Sequence, residues 1–207
     1  MPPFTRSKIE WFDPTQLPFR ISGLYWFSQE KVYRRLPQKL SKRIPPAVNE
    51  LANYPAGAQI AFRTDSLQIA IKVKLTAPAN MPHMPATGQC GFDLYVGKPF
   101  QQRFYNVTKY DQRKKKYEMI IFQHNKKRLR NFVLNFPLYQ QVREVKVGLT
   151  SGSNLVAPYP FPLSLGSGGA ILWAGGLLRI CSGTHLWGID PCLWGDRGYT
   201  PRARIKV

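Results

Sequence analysis

The stretch Leu67-Gln68-Ile69-Ala70-Ile71-Lys72-Val73-Lys74-Leu75 is apolar at every odd position, and most of its even positions are polar. A period of two is typical of a strand that has one face on a core and the other in water. Similar short segments occur before it at 58–63 and after it at 91–96, 101–106, 117–123, 129–136 and 142–149. Because no helix of useful length separates them, the pattern predicts an all-β fold, an antiparallel β-sandwich or jelly roll.

Two local signals refine this fold. Residues 64–66 (Thr-Asp-Ser) are good turn formers, so segment 58–63 is expected to pair with segment 67–75 as a hairpin. Pro46 suits the first turn of a helix, and apolar residues recur at helical spacing over 48–52. The sequence therefore predicts one short helix ahead of the strands.

The pattern divides the chain into three parts. Residues 1–157 form the predicted sandwich domain. Residues 158–169 are predicted to be a linker, because their prolines favour extended backbone and their glycines loosen it. Residues 170–207 begin with a short apolar strand at 170–173 but show no sustained period afterwards, which predicts an irregular tail.

The composition narrows the class of protein. Of the 207 residues, 43% are hydrophobic and 13% aromatic, which is enough for a packed core and argues against wholesale disorder. No run approaches the roughly 20 apolar residues that span a bilayer. Residues 1–10 are polar and lack the apolar centre of a secretion signal. We therefore expect no membrane partner and favour the cytoplasm as the compartment.

The cysteines indicate neither a disulfide framework nor a metal site. Cys90, Cys181 and Cys192 are too few and too widely spaced for a small disulfide-stapled fold or a zinc ribbon. We expect ordinary reduced thiols, no metal and no cofactor.

The charge points to a different class of partner. Thirty Lys and Arg against eleven Asp and Glu give a net charge of +19, which attracts polyanions at long range. The basic runs that could bind nucleic acid are Arg113, Lys114, Lys115, Lys116, Lys126, Lys127 and Arg128. They flank segment 117–123, so a hairpin would bring both to one end of the sandwich, with Tyr110 or Tyr117 available for stacking. The alternative is that exposed lysines beside strands only discourage edge aggregation.

A motif within residues 81–95 is more specific than any of these signals. Its last five residues, Gly-Phe-Asp-Leu-Tyr at 91–95, fit the pattern Gly-x-Asp-Leu-Tyr. Supporting blocks occur in order over roughly 9–173, namely Trp11-Phe12-Asp13, Pro45-Pro46-Ala47-Val48, Phe62-Arg63-Thr64-Asp65-Ser66 and Leu138-Tyr139. The chain resembles the domain that precedes the catalytic domain in bacterial SGNH (GDSL-type) esterases.

The resemblance implies an antiparallel β-sandwich followed, in the family, by an α/β hydrolase with a serine nucleophile, a histidine and an aspartate. In this chain residues 174–177 (Ala-Gly-Gly-Leu) stand where the family has its serine turn, and no later Asp-x-x-His pair follows. No catalytic residue is therefore predicted, and residues 170–207 are interpreted as the truncated or frameshifted start of a hydrolase domain.

The resemblance also suggests where a hydrolase domain would be contacted. The candidates for a domain interface or cleft are Met81, His83, Met84, Asp93 and Tyr95. Each has a structural alternative. Asp93 and Tyr95 share one strand face, where the carboxylate could satisfy loop amides and the phenol could cap the sheet edge. His83 could simply be solvated, and the methionines could fill the core.

Together these features predict a non-catalytic accessory domain of an SGNH-type carbohydrate or acyl esterase. Its expected partners are a hydrolase domain and an acylated saccharide. The alternative is a basic module that binds nucleic acid or an acidic polysaccharide.

Overall fold

The computed structural model describes residues 8–160, 169–174 and 177–182, the last two ranges for their backbone only. The chain divides into two compact units, with the boundary between Tyr159 and Pro160. Among the described residues, no helix is long and apolar enough to cross a membrane.

The described part of the first unit, residues 8–159, contains ten strands and a few short helices. In chain order they are β1 Ile9–Phe12, β2 Arg20–Ser22, α1 Phe27–Glu30, a 3-10 turn Gln38–Leu40, α2 Pro46–Leu51, β3 Gln59–Thr64, β4 Gln68–Leu75, α3 Ala86–Cys90, β5 Asp93–Val96, β6 Arg103–Val107, β7 Lys116–Gln123, β8 Arg130–Asn135, β9 Val142–Thr150 and β10 Leu155–Val156.

Two antiparallel sheets form the sandwich. The first has the strand order β1-β9-β4-β7. The second has the order β10-β3-β8-β5-β6, and β2 also pairs with β3. This architecture confirms the predicted all-β sandwich.

The core lies between the two sheets and follows the alternation in the sequence. Ile69, Ile71, Val73 and Leu75 of β4 are each at most 1% exposed. The other sheet contributes alternate residues of β3 and β8, and the Phe62 and Phe132 rings stack with centroids 5.7 Å apart. Burial of such side chains is the main favourable contribution to folding, about 25 cal/mol per Å² of apolar surface.

The predicted hairpin between segments 58–63 and 67–75 is wrong. β3 pairs with β8, β2 and β10, whereas β4 pairs with β7 and β9 in the other sheet. The residues between β3 and β4 therefore form a corner that carries the chain from one layer to the other. At this corner the Asp65 carboxylate accepts hydrogen bonds from the backbone N–H and the side-chain amide of Asn154, both at 2.8 Å. Ser66 Oγ accepts one from Thr150 N–H at 2.9 Å.

One of the three α-helices was predicted from the sequence. The predicted short helix is α2, which begins at Pro46. The sequence did not reveal α1 or α3. The strand predicted at 91–96 begins only at Asp93, because the Gly91 N–H caps α3 and the Phe92 N–H bonds to the Thr108 side chain.

In the second unit, β11 Gly169–Ala174 pairs antiparallel with β12 Leu177–Ser182. The strand predicted at 170–173 lies within β11. The pattern did not reveal β12, in a region where an irregular tail was expected. The remainder of the predicted tail, 175–176 and 183–207, lies outside the described residues, as do residues 161–168 of the predicted linker.

Candidate functional site

The glycine of the Gly-x-Asp-Leu-Tyr motif lies at the end of α3, where backbone and side chains crowd it. A Cβ built on Gly91 would lie 2.3 Å from the Thr87 carbonyl oxygen and 2.9 Å from Thr108 Oγ1. Thr108 also anchors the next residue, because its Oγ1 accepts a hydrogen bond from Phe92 N–H at 2.8 Å. The motif begins with glycine because no side chain fits between the helix and this threonine.

The apolar residues of the motif belong to the core. Phe92 and Leu94 are 0% exposed, and the Phe92 ring packs against Phe136 with centroids 4.9 Å apart. Just before the motif, the Cys90 carbonyl accepts a hydrogen bond from the buried Tyr117 hydroxyl at 3.0 Å. Burial raises the pKa of the Cys90 thiol, so it is not a poised nucleophile.

A buried glutamine connects the motif to the loop that precedes it. Gln89 is 1% exposed. Its Oε1 accepts hydrogen bonds from the backbone N–H groups of Asn80 and Met81, each at 3.0 Å, and its Nε2 donates to Asn80 Oδ1 at 2.8 Å. Three hydrogen bonds from one buried amide fix the start of this loop.

This loop, residues 79–86, is called the methionine loop below. Met81 and Met84 are half-buried and line a cavity of about 270 Å³ together with Gln112 and Arg113. Neither methionine belongs to the buried core cluster. His83 is exposed at the surface of the loop. The loop is therefore an ordered surface feature that presents flexible thioethers beside a small cavity.

Asp93 and Tyr95 lie elsewhere, on the outer face of the second sheet. Asp93 stands between Val107 and Asn135 of the neighbouring strands. Its carboxylate accepts no hydrogen bond from the described residues, so the predicted bonds to loop amides are not found there. Partial burial raises its pKa. The Tyr95 ring meets Phe104 of the edge strand β6 edge-on, with centroids 5.7 Å apart.

The two basic runs lie at opposite ends of β7, so the prediction that one end of the sandwich carries both is wrong. Lys115 is beside the end of β4, since Leu75 N–H donates to its carbonyl at 2.7 Å. Lys127 is beside the other end, with its Nζ 3.8 Å from Asp65 Oδ2. Seven strand residues, 117–123, lie between the runs and span about 23 Å. No β7–β8 hairpin forms, because these strands belong to different sheets.

The tyrosines considered for base stacking contact each other instead. The rings of Tyr110 and Tyr117 stack with centroids 4.2 Å apart, and Tyr117 is 8% exposed. The Tyr110 hydroxyl donates to the Ala86 carbonyl at 3.1 Å. Tyr117 is therefore not available to a nucleic-acid base.

Within residues 8–160, no serine hydroxyl hydrogen-bonds to a histidine ring. Ser66 Oγ donates to the Gln68 carbonyl at 2.5 Å, and His124 Nδ1 accepts from Lys126 N–H at 3.0 Å. The part of the chain that the structure describes contains no group of three or more His, Cys, Asp or Glu side chains placed to hold a metal ion.

A second concave surface lies on the outer face of the first sheet. This groove has a volume of about 490 Å³ and is lined by Ile9, Trp11, Gln68, Ala70, Glu118, Met119 and Ile120. None of these residues is a site candidate predicted from the sequence. The one sequence feature that could have indicated the groove is Ala70, a small apolar residue on the otherwise polar face of the stretch 67–75.

A comparison with protein families matches the part of the chain that contains the motif. The family model described as GxDLY, the N-terminus of SGNH-hydrolase-type esterases, matches residues 9–155. The chain belongs to this family. The resemblance read from Gly91 to Tyr95 is confirmed, and the GxDLY domain coincides with the sandwich.

Two solved structures share the fold of this GxDLY domain. A protein described as a GDSL-like lipase from Bacteroides ovatus ATCC 8483 superposes with a TM-score of 0.66 at 21% identity, covering 73% of this chain and 44% of that one. The salicylyl-acyltransferase SsfX3 from a tetracycline biosynthetic pathway superposes with a TM-score of 0.53 at 16% identity, covering 73% and 42%. The chain thus spans less than half the length of either protein. A search of curated proteins finds no match.

Proposed function

We propose that this GxDLY domain is a non-catalytic accessory domain that packs against an SGNH-type hydrolase domain and helps to shape its cleft for an acylated saccharide. The observation that carries the proposal is the methionine loop, which Gln89 holds in place from within the core. A loop fixed before binding loses little conformational entropy when a partner covers it.

The chemistry of the loop suits a protein contact. Met81 and Met84 present polarizable side chains that can adapt to an apolar partner surface. Arg113 lines the same cavity and supplies a charged rim. His83 projects from an exposed position between the two methionines and adds a donor or acceptor.

Within residues 8–160 no serine is hydrogen-bonded to a histidine, which favours an accessory role over a catalytic role for the sandwich. Nucleophilic serine catalysis requires a base within hydrogen-bonding reach. The two solved relatives are described as a lipase and an acyltransferase, and both kinds of enzyme act on acyl groups. These descriptions support acyl chemistry in the hydrolase that this domain would accompany.

The polyanion-binding alternative retains only the overall charge of +19 in its favour. The basic runs are separated along β7, and Tyr117 is buried. We therefore do not adopt it.

The test is a titration of the full chain with a separately expressed SGNH-type hydrolase domain taken from a protein that also carries a GxDLY domain. We expect saturable heat by calorimetry, weakened about tenfold or more by Met81→Ala combined with Met84→Ala. Tyr25→Ala, a change at a more exposed side chain outside the methionine loop, should leave the affinity unchanged. The chain alone should show no saturable hydrolysis of 4-nitrophenyl acetate.

Unchanged affinity in the methionine variant would remove the loop from the interface. Saturable ester hydrolysis by the chain alone, retained after repeated purification, would refute the non-catalytic role.

A further inference from the structure

Two neighbouring loops at one end of the sandwich expose apolar side chains among cations. One loop joins β5 to β6, and the other joins β7 to β8. Gly97 of the first loop donates its N–H to the Asn131 carbonyl at 3.0 Å, and the Asn131 side-chain amide donates to the Gly97 carbonyl at 2.8 Å. Because Asn131 directly follows the second loop, these bonds bring the two loops together into one surface.

The first loop holds a phenylalanine in a conformation that suits glycine. Gln101 N–H donates to the Lys98 carbonyl at 3.0 Å, which closes a turn around Pro99 and Phe100. Phe100 has a φ of 64°, a value at which type II turns usually have glycine or asparagine. Its side chain is 57% exposed, so the fold gains little packing in return for the unfavourable backbone. The ring therefore points to a contact outside the domain.

The second loop is organised from within by Arg130. Its guanidinium donates to the Lys126 carbonyl at 3.3 Å and to the Arg128 carbonyl at 3.1 Å. The neighbouring side chains face solvent, since Leu129 is 48% exposed and Lys126, Lys127 and Arg128 are exposed as well. The loop is thus ordered before a partner binds, which reduces the entropy lost on binding.

The charge of this surface has one sign. Residues 97–103 and 124–130, called the basic end below, contain six Lys and Arg side chains and no Asp or Glu. Among the described residues, the ion pair formed there is that of Lys127 Nζ with Asp65 Oδ2 at 3.8 Å. A surplus of positive charge therefore surrounds the two exposed apolar side chains.

We propose that the basic end docks on an anionic lipid surface. Phe100 and Leu129 enter the boundary between the headgroups and the acyl chains. Lys98, Arg103 and Arg128 remain at the level of the lipid phosphates, where the negative surface potential attracts them. The net charge of +19 adds a long-range attraction to the same surface.

Other partners use these features less completely. A nucleic acid would pair with the cations, but a leucine gives its bases no ring on which to stack. A second copy of the chain would bring like charges together. An acidic protein would need a pocket for each of the two apolar side chains, whereas a lipid surface adapts to both.

This inference differs from the expectation of no membrane partner, which rested on the lack of a spanning segment. Docking on a surface requires none. It is also separate from the proposed function, because the cavity of the methionine loop includes Arg113, from the basic run at the opposite end of β7. Either binding activity can therefore be lost without the other.

The experiment measures cosedimentation of the full chain with vesicles of two parts phosphatidylcholine and one part phosphatidylglycerol, and with vesicles of phosphatidylcholine alone. We expect binding to the anionic vesicles that weakens as added salt screens the charges, and binding to the neutral vesicles that is weaker by about tenfold or more. Phe100→Gly should lower the partition coefficient by about threefold to tenfold. Its midpoint of unfolding should stay constant or rise, because glycine adopts this φ without strain, and this also shows that the variant folds.

A second pair of variants separates local from overall charge. Lys126→Gln combined with Arg128→Gln should weaken binding to the anionic vesicles by about tenfold or more. The matched control, Lys114→Gln combined with Lys115→Gln, removes the same charge from the run at the other end of β7 and should weaken binding by less than about threefold. Tyr25→Ala removes an exposed aromatic ring outside the basic end and should bind as the parent does.

Absence of binding to the anionic vesicles would overturn the proposal, as would a partition coefficient of Phe100→Gly equal to that of the parent. Equal losses in the two double variants would assign the attraction to the overall charge and not to the basic end. Tighter binding to single-stranded oligothymidylate than to vesicles would assign this surface to nucleic acid instead. Self-association that disappears in Phe100→Gly would assign it to a second copy of the chain.

Discussion

The two halves of residues 81–95 differ in burial. The first half, in the methionine loop, exposes Pro82 and His83 and half-exposes both methionines. The second half, from Gln89 to Leu94, contains four residues that are at most 1% exposed, together with a glycine in close contact. The recognisable motif is therefore the part that holds the fold together, and the less distinctive residues before it form the accessible surface.

The residues that identify the family are therefore different from the residues that are accessible to a partner. Phe92 and Leu94 are restricted because the core has one shape to fill. The methionine loop is held through its backbone, chiefly by Gln89 and also by Tyr110, so its exposed side chains can vary with the partner. Substitutions in the buried half should therefore lower stability, whereas substitutions in the methionine loop should affect binding.

The largest effect is expected for Phe92→Ala in the buried half. Removing this fully buried ring leaves a cavity against Phe136 and should lower the free energy of unfolding by about 3–5 kcal/mol. Urea denaturation followed by circular dichroism measures it. The matched control is Phe100→Ala at an exposed phenylalanine, where the change should be about 0.5 kcal/mol. Equal effects at the two sites would contradict the assignment of the motif to the core.

Gly91→Ala tests the close approach at the end of α3. The added methyl group would meet the Thr87 backbone, which cannot move without unwinding the helix, so we expect destabilisation of about 1–3 kcal/mol. Gly88→Ala, three residues earlier, meets only the Met84 side chain at 3.6 Å. That control should be neutral or stabilise by about 0.4–1 kcal/mol. Thermal unfolding of the two variants compares them directly.

Gln89→Ala acts where the two halves meet. It leaves the amides of Asn80 and Met81 without their acceptor and should cost about 1–2 kcal/mol. Hydrogen exchange at these two amides should accelerate more than exchange in β4. Uniform acceleration across the domain would mean that Gln89 supports the core as a whole and not the loop.

Asp93→Asn gives a smaller, pH-dependent effect. The raised pKa of Asp93 means that the folded state binds more protons than the unfolded state just above the ordinary carboxyl pKa, so stability falls as pH rises through that window. The asparagine variant should be more stable than the parent at pH 7, by less than about 1 kcal/mol because the group is half exposed, and equal to it at about pH 2. The pKa of Asp111 is instead lowered, first by a hydrogen bond from the Arg113 backbone, so Asp111→Asn should show the opposite sign. The same sign for both variants would rule out this explanation.

His83→Ala should have the smallest effect on stability. The side chain is exposed, so the free energy of unfolding should change by less than about 0.5 kcal/mol. The affinity for a hydrolase domain, measured by the titration described above, should nevertheless fall. A large loss of stability would show that the histidine has a structural role that its exposure does not suggest.

The main strands of the sandwich, β3 to β9, could be predicted because alternation is a local property. The run Leu67–Leu75 carries its own pattern, and the structure buries the expected face. The pairing of those strands could not be predicted, because Thr64-Asp65-Ser66 suits a hairpin and a corner equally. Hydrogen bonds to Asn154 and Thr150, more than eighty positions away, decide between them.

The candidate sites were predicted less completely, because they too depend on contacts between residues that are distant in the sequence. Met81 and Met84 stand out by their residue type, and the structure places them on a surface cavity. Gln89 and Gln68 carry no local signal, since an isolated glutamine is ordinary in any sequence. Their burial depends on residues brought in by other strands and loops, and the Trp11–Gly148 contact exists only because β1 pairs with β9.

The corner at Asp65 and Ser66 has a mechanical consequence. The chain passes there from one layer to the other in very few residues, so a force that shears the two sheets apart would load this short connection. The side-chain bonds to Asn154 and Thr150 lie across that path and would have to rupture before the layers could slide. Rigidity at this end of the domain is thus set by a short covalent tether and its bracing, and not by the apolar interior alone.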